Sequence, residues 1–455
     1  MGVVLSALLR GGGVVSHFLL SRSNSELLLS KMILRLLSEG MALGTCVVRC
    51  GRLGHSVLLP RYISSGAVKQ QVNTAAAVEG SLELAAARPT HEIPGPRVYP
   101  IVGTLPEMMF NKSFDARALH KIWADIVKQY GPIVKIQQPG IDNLVALTNP
   151  DDCQTLMRAT MDNPMRIAFL SLKKIRMETV DDYFEKKGGI LVENGDEWWR
   201  VRSRVQKPMM RAKNVTSYLA SMDEVVLNFM DRIAAMQEEF GEMPSNFQFE
   251  LYKWALESVG LVALNRRLGC LEPSIQKDSE PMRLITIVNE IFDLLNDTEM
   301  NFPYWKIFPT PSFRKLKKRH QDFLELYPLT LGTARTLERD LVLGGYVVPK
   351  GWMGTTLNML MGWDEALFPR AKEFIPERWL RHKPLGPIHP YASLPFGTGT
   401  RMCIGRRIAE QEMYTFLARV MHRFNVDYKY EDIDLVSKLV YMPSKPLKFS
   451  FTERK

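Results

Sequence analysis

Cysteine is scarce, with five residues in 455 (Cys46, Cys50, Cys153, Cys270 and Cys403). That is too few for a secreted disulfide scaffold and suits a reducing compartment. No run of 18 apolar residues occurs, so the sequence predicts no transmembrane helix. No internal repeat is visible, which removes solenoids and propellers. No basic stripe with interleaved aromatics stands out, so nucleic acid is not an expected partner. Hydrophobic residues make up 46% and charged residues 24%, a globular balance that argues against a mainly disordered chain.

Acidic residues are nearly missing from one region. Residues 1–78 carry Arg10, Arg22, Lys31, Arg35, Arg49, Arg52, Arg61 and Lys69 against only Glu26 and Glu39, and so hold six of the ten net positive charges. An Arg- and Ser-rich, acid-poor segment has the composition of a mitochondrial transit peptide, able to form a cationic amphipathic helix. A secretory signal would place one apolar core before a small-residue cleavage site, whereas here Arg and Gly interrupt the apolar patches. A disordered basic arm or an over-extended start is the alternative, Met32 and Met41 also being able to begin a chain. Arg61-Tyr62 before Ile63-Ser64-Ser65 is the expected processing region. The chain thus divides into a targeting segment, 1–78, and one large domain, 79–455.

That domain opens on residues 93–106, where four prolines and two glycines make a stiff, non-helical stretch. Leu119, Ile122, Trp123, Ile126 and Tyr130 then repeat at helical spacing until Gly131-Pro132 stops the helix. Residues 133–136 and 144–148 read as strands around the turn Pro139-Gly140. Residues 149–325 read as mainly helical, and 327–358 as short strands and turns. Residues 364–402 form a long irregular stretch, of the kind a compact protein usually keeps for function. Ala409, Met413, Phe416, Leu417, Val420, Met421 and Phe424 then define the apolar face of a buried helix. The fold class is mainly α with small β-sheets.

The segment richest in chemistry runs from Phe396 to Gly405: Phe-Gly-Thr-Gly-Thr-Arg-Met-Cys-Ile-Gly. Glycines permit positive φ and close backbone approach. A loop of this kind can aim backbone N–H groups at one sulfur, and the helix after it points its positive end the same way. Both effects favour a thiolate. Phe396 could screen the sulfur from water, and Arg401 could pair with an anion such as a cofactor carboxylate. A buried structural cysteine in a glycine-rich turn is the competing reading of a lone Cys403.

The pattern Phe-x-x-Gly-x-x-x-Cys-x-Gly, met by Phe396, Gly399, Cys403 and Gly405, with Arg401 two places before the cysteine, resembles the signature of the cytochrome P-450 family, the heme-thiolate monooxygenases. The resemblance runs from about residue 93 to the C-terminus, with one break. It implies the P-450 fold and heme b (iron protoporphyrin IX), with Cys403 as the axial thiolate ligand of the iron. Trp198 and Arg202 match the family's Trp-x-x-x-Arg pair, which shares one helix face and reaches a heme propionate. Arg335 stands where the family often places a basic residue toward the second propionate, a surface arginine being the competing reading. Arg378, in Pro376-Glu377-Arg378-Trp379, corresponds to the family's structural arginine. Arg406 and Arg407 are candidates for meeting an acidic electron donor. With the transit-like segment, the resemblance is to the mitochondrial, animal and especially arthropod branch. It implies a small lipophilic substrate, steroid-like or xenobiotic, with O2. Electrons would come from a mitochondrial ferredoxin and its NADPH-dependent reductase, on the matrix side of the inner membrane, with peripheral contact to that membrane.

Two family motifs are missing. No Ala/Gly-Gly-x-Asp/Glu-Thr/Ser sequence, the mark of the oxygen-activating helix, occurs, so no catalytic residue is assigned. Glu-x-x-Arg occurs only at Glu197–Arg200 and Glu280–Arg283, neither in the family position before Leu326-Tyr327-Pro328. The sequence reads as an internal deletion near 325–326, left by a splice variant or an incomplete gene model. Arg378 is then expected to lack both its family partners, at the cost of a buried unpaired cation, and core helices are expected to expose apolar surface. Three hypotheses follow: a mitochondrial monooxygenase, a catalytically inactive heme-binding fragment of one, and a helical binding protein without heme. The family order of the motifs disfavours the third.

Overall fold

The structure, a computed structural model, describes residues 82–454 apart from 101, 110–117, 139–140, 163, 179–185, 277, 300–302, 325–334, 383 and 439. The transit-like segment 1–78, the turn Pro139-Gly140 and the 325–326 join lie outside the described residues.

Helix α1 (Leu119–Tyr130) buries Ile122 and Ile126, and ends where the Gly131 N–H returns to the Val127 carbonyl in a positive-φ conformation (φ 97°) that suits glycine. Strands β1 (Ile133–Gln138) and β2 (Ile141–Leu147) form the expected hairpin, Ile133 opposite Leu147. The proline-rich stretch lies against this hairpin, Lys135 N–H donating to Pro94 O at 2.8 Å. A Cβ on Gly95 would stand 2.2 Å from the Lys135 carbonyl oxygen, so only glycine fits there. Helix α2 (Pro150–Ala159) begins at Asn149, whose side chain accepts from Asp151 N (2.8 Å) and Asp152 N (3.4 Å).

The chain is then mainly helical, as expected: α3 (Leu170–Glu178), α4 (Gly195–Met210), α5 (Leu219–Phe240), α6 (Phe247–Leu264), α7 (Glu280–Glu299) and α8 (Pro311–Leu324). The Thr-, Val- and Gly-rich region supplies β3 (Arg335–Thr336), β4 (Leu341–Leu343), β5 (Tyr346–Val348) and β6 (Met353–Thr356). β6 joins β2 in parallel and β3 antiparallel, giving the sheet order β1-β2-β6-β3. The proline- and arginine-rich stretch holds only a short 3-10 turn, Pro376–Trp379, before α9 (Arg406–Arg423). Four short strands close the chain: β7 (Phe424–Asp427), β8 (Leu435–Lys438), β9 (Val440–Pro443) and β10 (Ser450–Glu453).

The largest core lies among α5, α6, α9 and the β7–β10 pair. The Phe229 and Trp254 rings are nearly parallel, and Trp254 meets Phe416 of α9 at 4.5 Å. The expected apolar face of α9 holds at Phe416 and Val420, and at Phe424 just after it, but Met421 is 36% exposed and Glu412 is buried. On α6 the residues Val259 and Leu264 are exposed although Phe247, Leu251 and Trp254 are buried.

Burial at Glu412 pushes its carboxyl from 4.5 up to about 7, the nearby Ser258 hydroxyl opposing. The fold therefore favours the protonated acid. The contribution of Glu412 to stability is complete below pH 4.5 and is lost as pH rises through about 7. Glu412→Gln, always neutral, is expected to resist denaturant better than the parent at pH 8, by on the order of 1–3 kcal/mol. At acidic pH, where the glutamate is protonated, the two should be equal. Urea titrations at both pH values check this, and equal stability at pH 8 would contradict it.

Candidate active site: a cysteine loop beside four buried arginines

The cysteine loop closes on itself. Gly397 N–H donates to Leu394 O (3.0 Å), Met402 N–H to Gly399 O (3.1 Å) and Cys403 N–H to Phe396 O (2.9 Å). Gly397 and Gly399 take positive φ, 68° and 74°, which the turns require and other residues resist. Among the described residues no backbone N–H donates to the Cys403 sulfur, contrary to expectation; the N–H groups of Met402 and of Cys403 itself go to loop carbonyls instead. What faces that region is the start of α9, capped at Gly405, where the helix carries its partial positive charge. A Cβ on Gly405 would lie 4.0 Å from the sulfur. Phe396, half-buried, does not shield the cysteine: Cys403 is exposed, whereas Cys153 and Cys270 are buried.

Helix α4 supplies the second part. Trp198 and Arg202, four residues apart, both lie on its buried side. Arg202 donates through Nη2 to the carbonyl of Met402, next to the cysteine, at 2.8 Å, and through Nε to Gln206 at 2.9 Å. Its guanidinium is desolvated, which lowers its pKa, while an anionic Cys403 acts in the opposite direction. Arg401 lies over the Trp198 ring at 4.7 Å, a cation–π contact that joins loop to helix. It also donates to Pro164 O (2.6 Å), Asn194 Oδ1 (2.6 Å) and Glu193 O (2.5 Å), while its Nε, buried, has no partner among the described residues.

Arg335 on β3 is the largest fully buried side chain, 2% exposed, so it is not a surface arginine. Arg166, which motif matching overlooked, completes the group. Burial, joined for Arg166 and Arg401 by repulsion between these cations, lowers Arg166 and Arg335 to about 10 and Arg401 to about 9. All four remain charged at neutral pH. Four cations, each under a tenth exposed, converge closely enough to repel one another, with Glu193 acting on Arg401 in the opposite direction. An anion placed among them would relieve that repulsion. The chemistry of the donors fits a group bearing carboxylates, set beside an exposed thiol at a helix N-terminus.

A family model described as Cytochrome P450 matches residues 93–328 and 323–451. The chain belongs to the cytochrome P450 family. Members of that family are heme-thiolate monooxygenases, and the cofactor of this P450 is heme. "Probable cytochrome P450 301a1, mitochondrial" of Drosophila melanogaster is 26% identical over 538 residues, covering 91% of this chain and 97% of that relative. Cytochrome P450 CYP12A2 of Musca domestica is 28% identical, covering 72% of this chain and 84% of the relative. The mitochondrial 1,25-dihydroxyvitamin D(3) 24-hydroxylase of Mus musculus is 24% identical, covering 80% and 89% respectively. The chain therefore falls in the mitochondrial, animal class of P450s.

Outside the cluster, Arg378 corrects an expectation. It is buried yet not unpaired, for it donates to the carbonyls of Pro369 and Arg370, and to that of Glu373 at 3.3 Å. The irregular 364–380 stretch wraps its own backbone oxygens around the guanidinium. Arg406 pairs with Glu410 at 2.7 Å, leaving Arg407 as the exposed member of that basic pair. Among the described residues no helix is long and apolar enough to cross a membrane.

Proposed function

We propose that this P450 binds heme b, with Cys403 as axial thiolate ligand, and hydroxylates a lipophilic substrate, steroid-like or xenobiotic. The observation that carries the reading is the convergence of Arg166, Arg202, Arg335 and Arg401 next to an exposed cysteine at the start of α9. Two propionates are the anions such a cluster would take. Arg202, Arg335 and Arg401 would hold them, Trp198 would support Arg401, and Gly405 and Phe396 would border the thiolate. When bound, heme supplies the redox chemistry by which one oxygen atom of O2 enters a C–H bond. The chain's own contribution on this side is to orient the group, with the start of α9 and Arg202 placed beside Cys403. The absorbance of the reduced, carbon monoxide-treated protein tests the reading. Thiolate-ligated heme gives a red-shifted Soret band, heme without thiolate does not, and a protein without heme gives none.

Electrons would come from a mitochondrial ferredoxin and its NADPH-dependent reductase, with Arg407 on the face that meets an acidic donor. The site of action would be the matrix side of the inner membrane, touched peripherally. Two of the relatives above carry "mitochondrial" in their names, and the composition of residues 1–78 supports import. Fusing residues 1–78 to a fluorescent protein is expected to send it to mitochondria. A cytosolic or secretory distribution would contradict this.

A deletion near 325–326 is supported by the form of the family match, which breaks into two stretches meeting at 323–328. The alignment with the Drosophila relative also runs over 538 positions although this chain has only 455 residues. The exposed Val259 and Leu264 agree with a core that lacks a neighbour. The transcript across residues 320–330 would show whether exons are skipped.

A further inference from the structure

Asn194 occupies the N-cap position of α4 with extended backbone (φ −133°, ψ 171°), yet its side chain makes no capping bond to that helix. An Asn at an N-cap usually accepts from the second or third helical N–H. Here the amide is spent elsewhere. Its Oδ1 accepts from Arg166 N (2.8 Å) and from Arg401 Nη1 (2.6 Å), and its Nδ2 donates to Arg166 O (2.8 Å). From the start of the helix that carries Trp198 and Arg202, this one side chain thus bridges two other parts of the arginine cluster: the segment that carries Arg166 and the loop that carries Arg401 and Cys403.

We propose that Asn194 is a positioning residue for the propionate site, holding Arg166 in register with Arg401. This rests on the heme reading above and extends it. Repulsion among four buried cations would drive the Arg166 segment away from the loop. The amide opposes that with three hydrogen bonds, one from a guanidinium, the stronger kind. The segment has other anchors. Arg401 Nη1 donates to Pro164 O at 2.6 Å, and Thr336 N–H, next to Arg335, donates to Met165 O at 3.0 Å. The fold therefore does not depend on Asn194, while the two backbone bonds of Arg166 given above are both made to it. Removing the amide should leave the segment in place but loosen the link between Arg166 and Arg401.

The test compares two probes on the full chain: iron protoporphyrin IX and its dimethyl ester, which has the same ring and iron but no propionate charge. The parent protein should bind the free acid more tightly than the ester. In Asn194→Ala the affinity for the acid should fall by about tenfold, the effect of losing one charge-assisted contact, and the ester should bind as before. Asn194→Asp keeps the acceptor oxygen but loses the donor and puts a carboxylate among the arginines. It should weaken the acid further and leave the ester unchanged, and it serves as the second variant if the alanine protein folds poorly. Equal weakening of both probes, or no change in either, overturns the positioning role while the heme reading stands. A parent protein that cannot distinguish acid from ester overturns both.

Discussion

Replacing Cys403 with serine is expected to abolish the red-shifted Soret band of the reduced, carbon monoxide-treated protein entirely. That band requires a thiolate on the iron, and a serine hydroxyl does not ionise at neutral pH. No other described cysteine can substitute. Cys153 and Cys270 are buried, and burial together with a neighbouring carboxylate raises both thiols, Cys153 to about 12, so they stay protonated. Of the described cysteines Cys403 alone is exposed, and it precedes the start of α9 with Arg202 near enough to feel its charge. The variant should still bind some heme through the arginine cluster, giving a band at the position of heme without thiolate. A red-shifted band that survives the substitution would show that the ligand has been misassigned.

The second large effect concerns turnover. This 455-residue chain is expected to show little or no coupled hydroxylation, by comparison with a version into which the family's oxygen-activating helix is inserted near 325–326. The family's oxygen-activating motif holds an acid and an alcohol that relay protons, and a positioned relay typically contributes about 10²–10⁴-fold. Neither residue is present in this sequence. The helix that carries them also closes the pocket against bulk water, so its loss favours release of reduced oxygen over substrate oxidation. Heme retention should be weak as well, because the residues proposed to hold heme would grip its propionates and iron from one side only. Both versions would be supplied with ferredoxin, reductase and NADPH, and product per heme measured. Equal product from the two would refute the expectation, and product only from the version carrying the inserted helix would support it.

Much of this was legible because it is local. The helix at 119–130 follows from apolar spacing and a glycine stop, and the hairpin at 133–147 from two short apolar runs around a Pro-Gly pair. Positive φ at Gly397 and Gly399 follows from a turn tight enough to need glycine. Trp198 and Arg202 share a face because they are one helical turn apart. The buried face of α9 was legible only in part. Periodicity marks which residues are apolar but not what covers them, so Met421, counted among the buried, is exposed.

The remainder depends on contacts between residues far apart in the chain. Nothing near Arg166 marks it out, for its role is set by Arg401, 235 positions later, and by Arg335. Asn194 stands at the N-cap position of α4, and only packing shows its amide turned away from the helix toward two arginines. Arg335 reads equally as a surface or a buried residue until β3 is placed beside β6 in the sheet. Arg378 loses two partners on paper and gains three backbone carbonyls in space, since an irregular stretch can bend its own oxygens around a cation. The sequence by itself determined which side chains can hold a thiolate and an anion, because that chemistry belongs to residue type and short spacing. The tertiary structure decided which arginines meet and what orders them, because charges 36 to 235 residues apart act on one another only after the chain has folded.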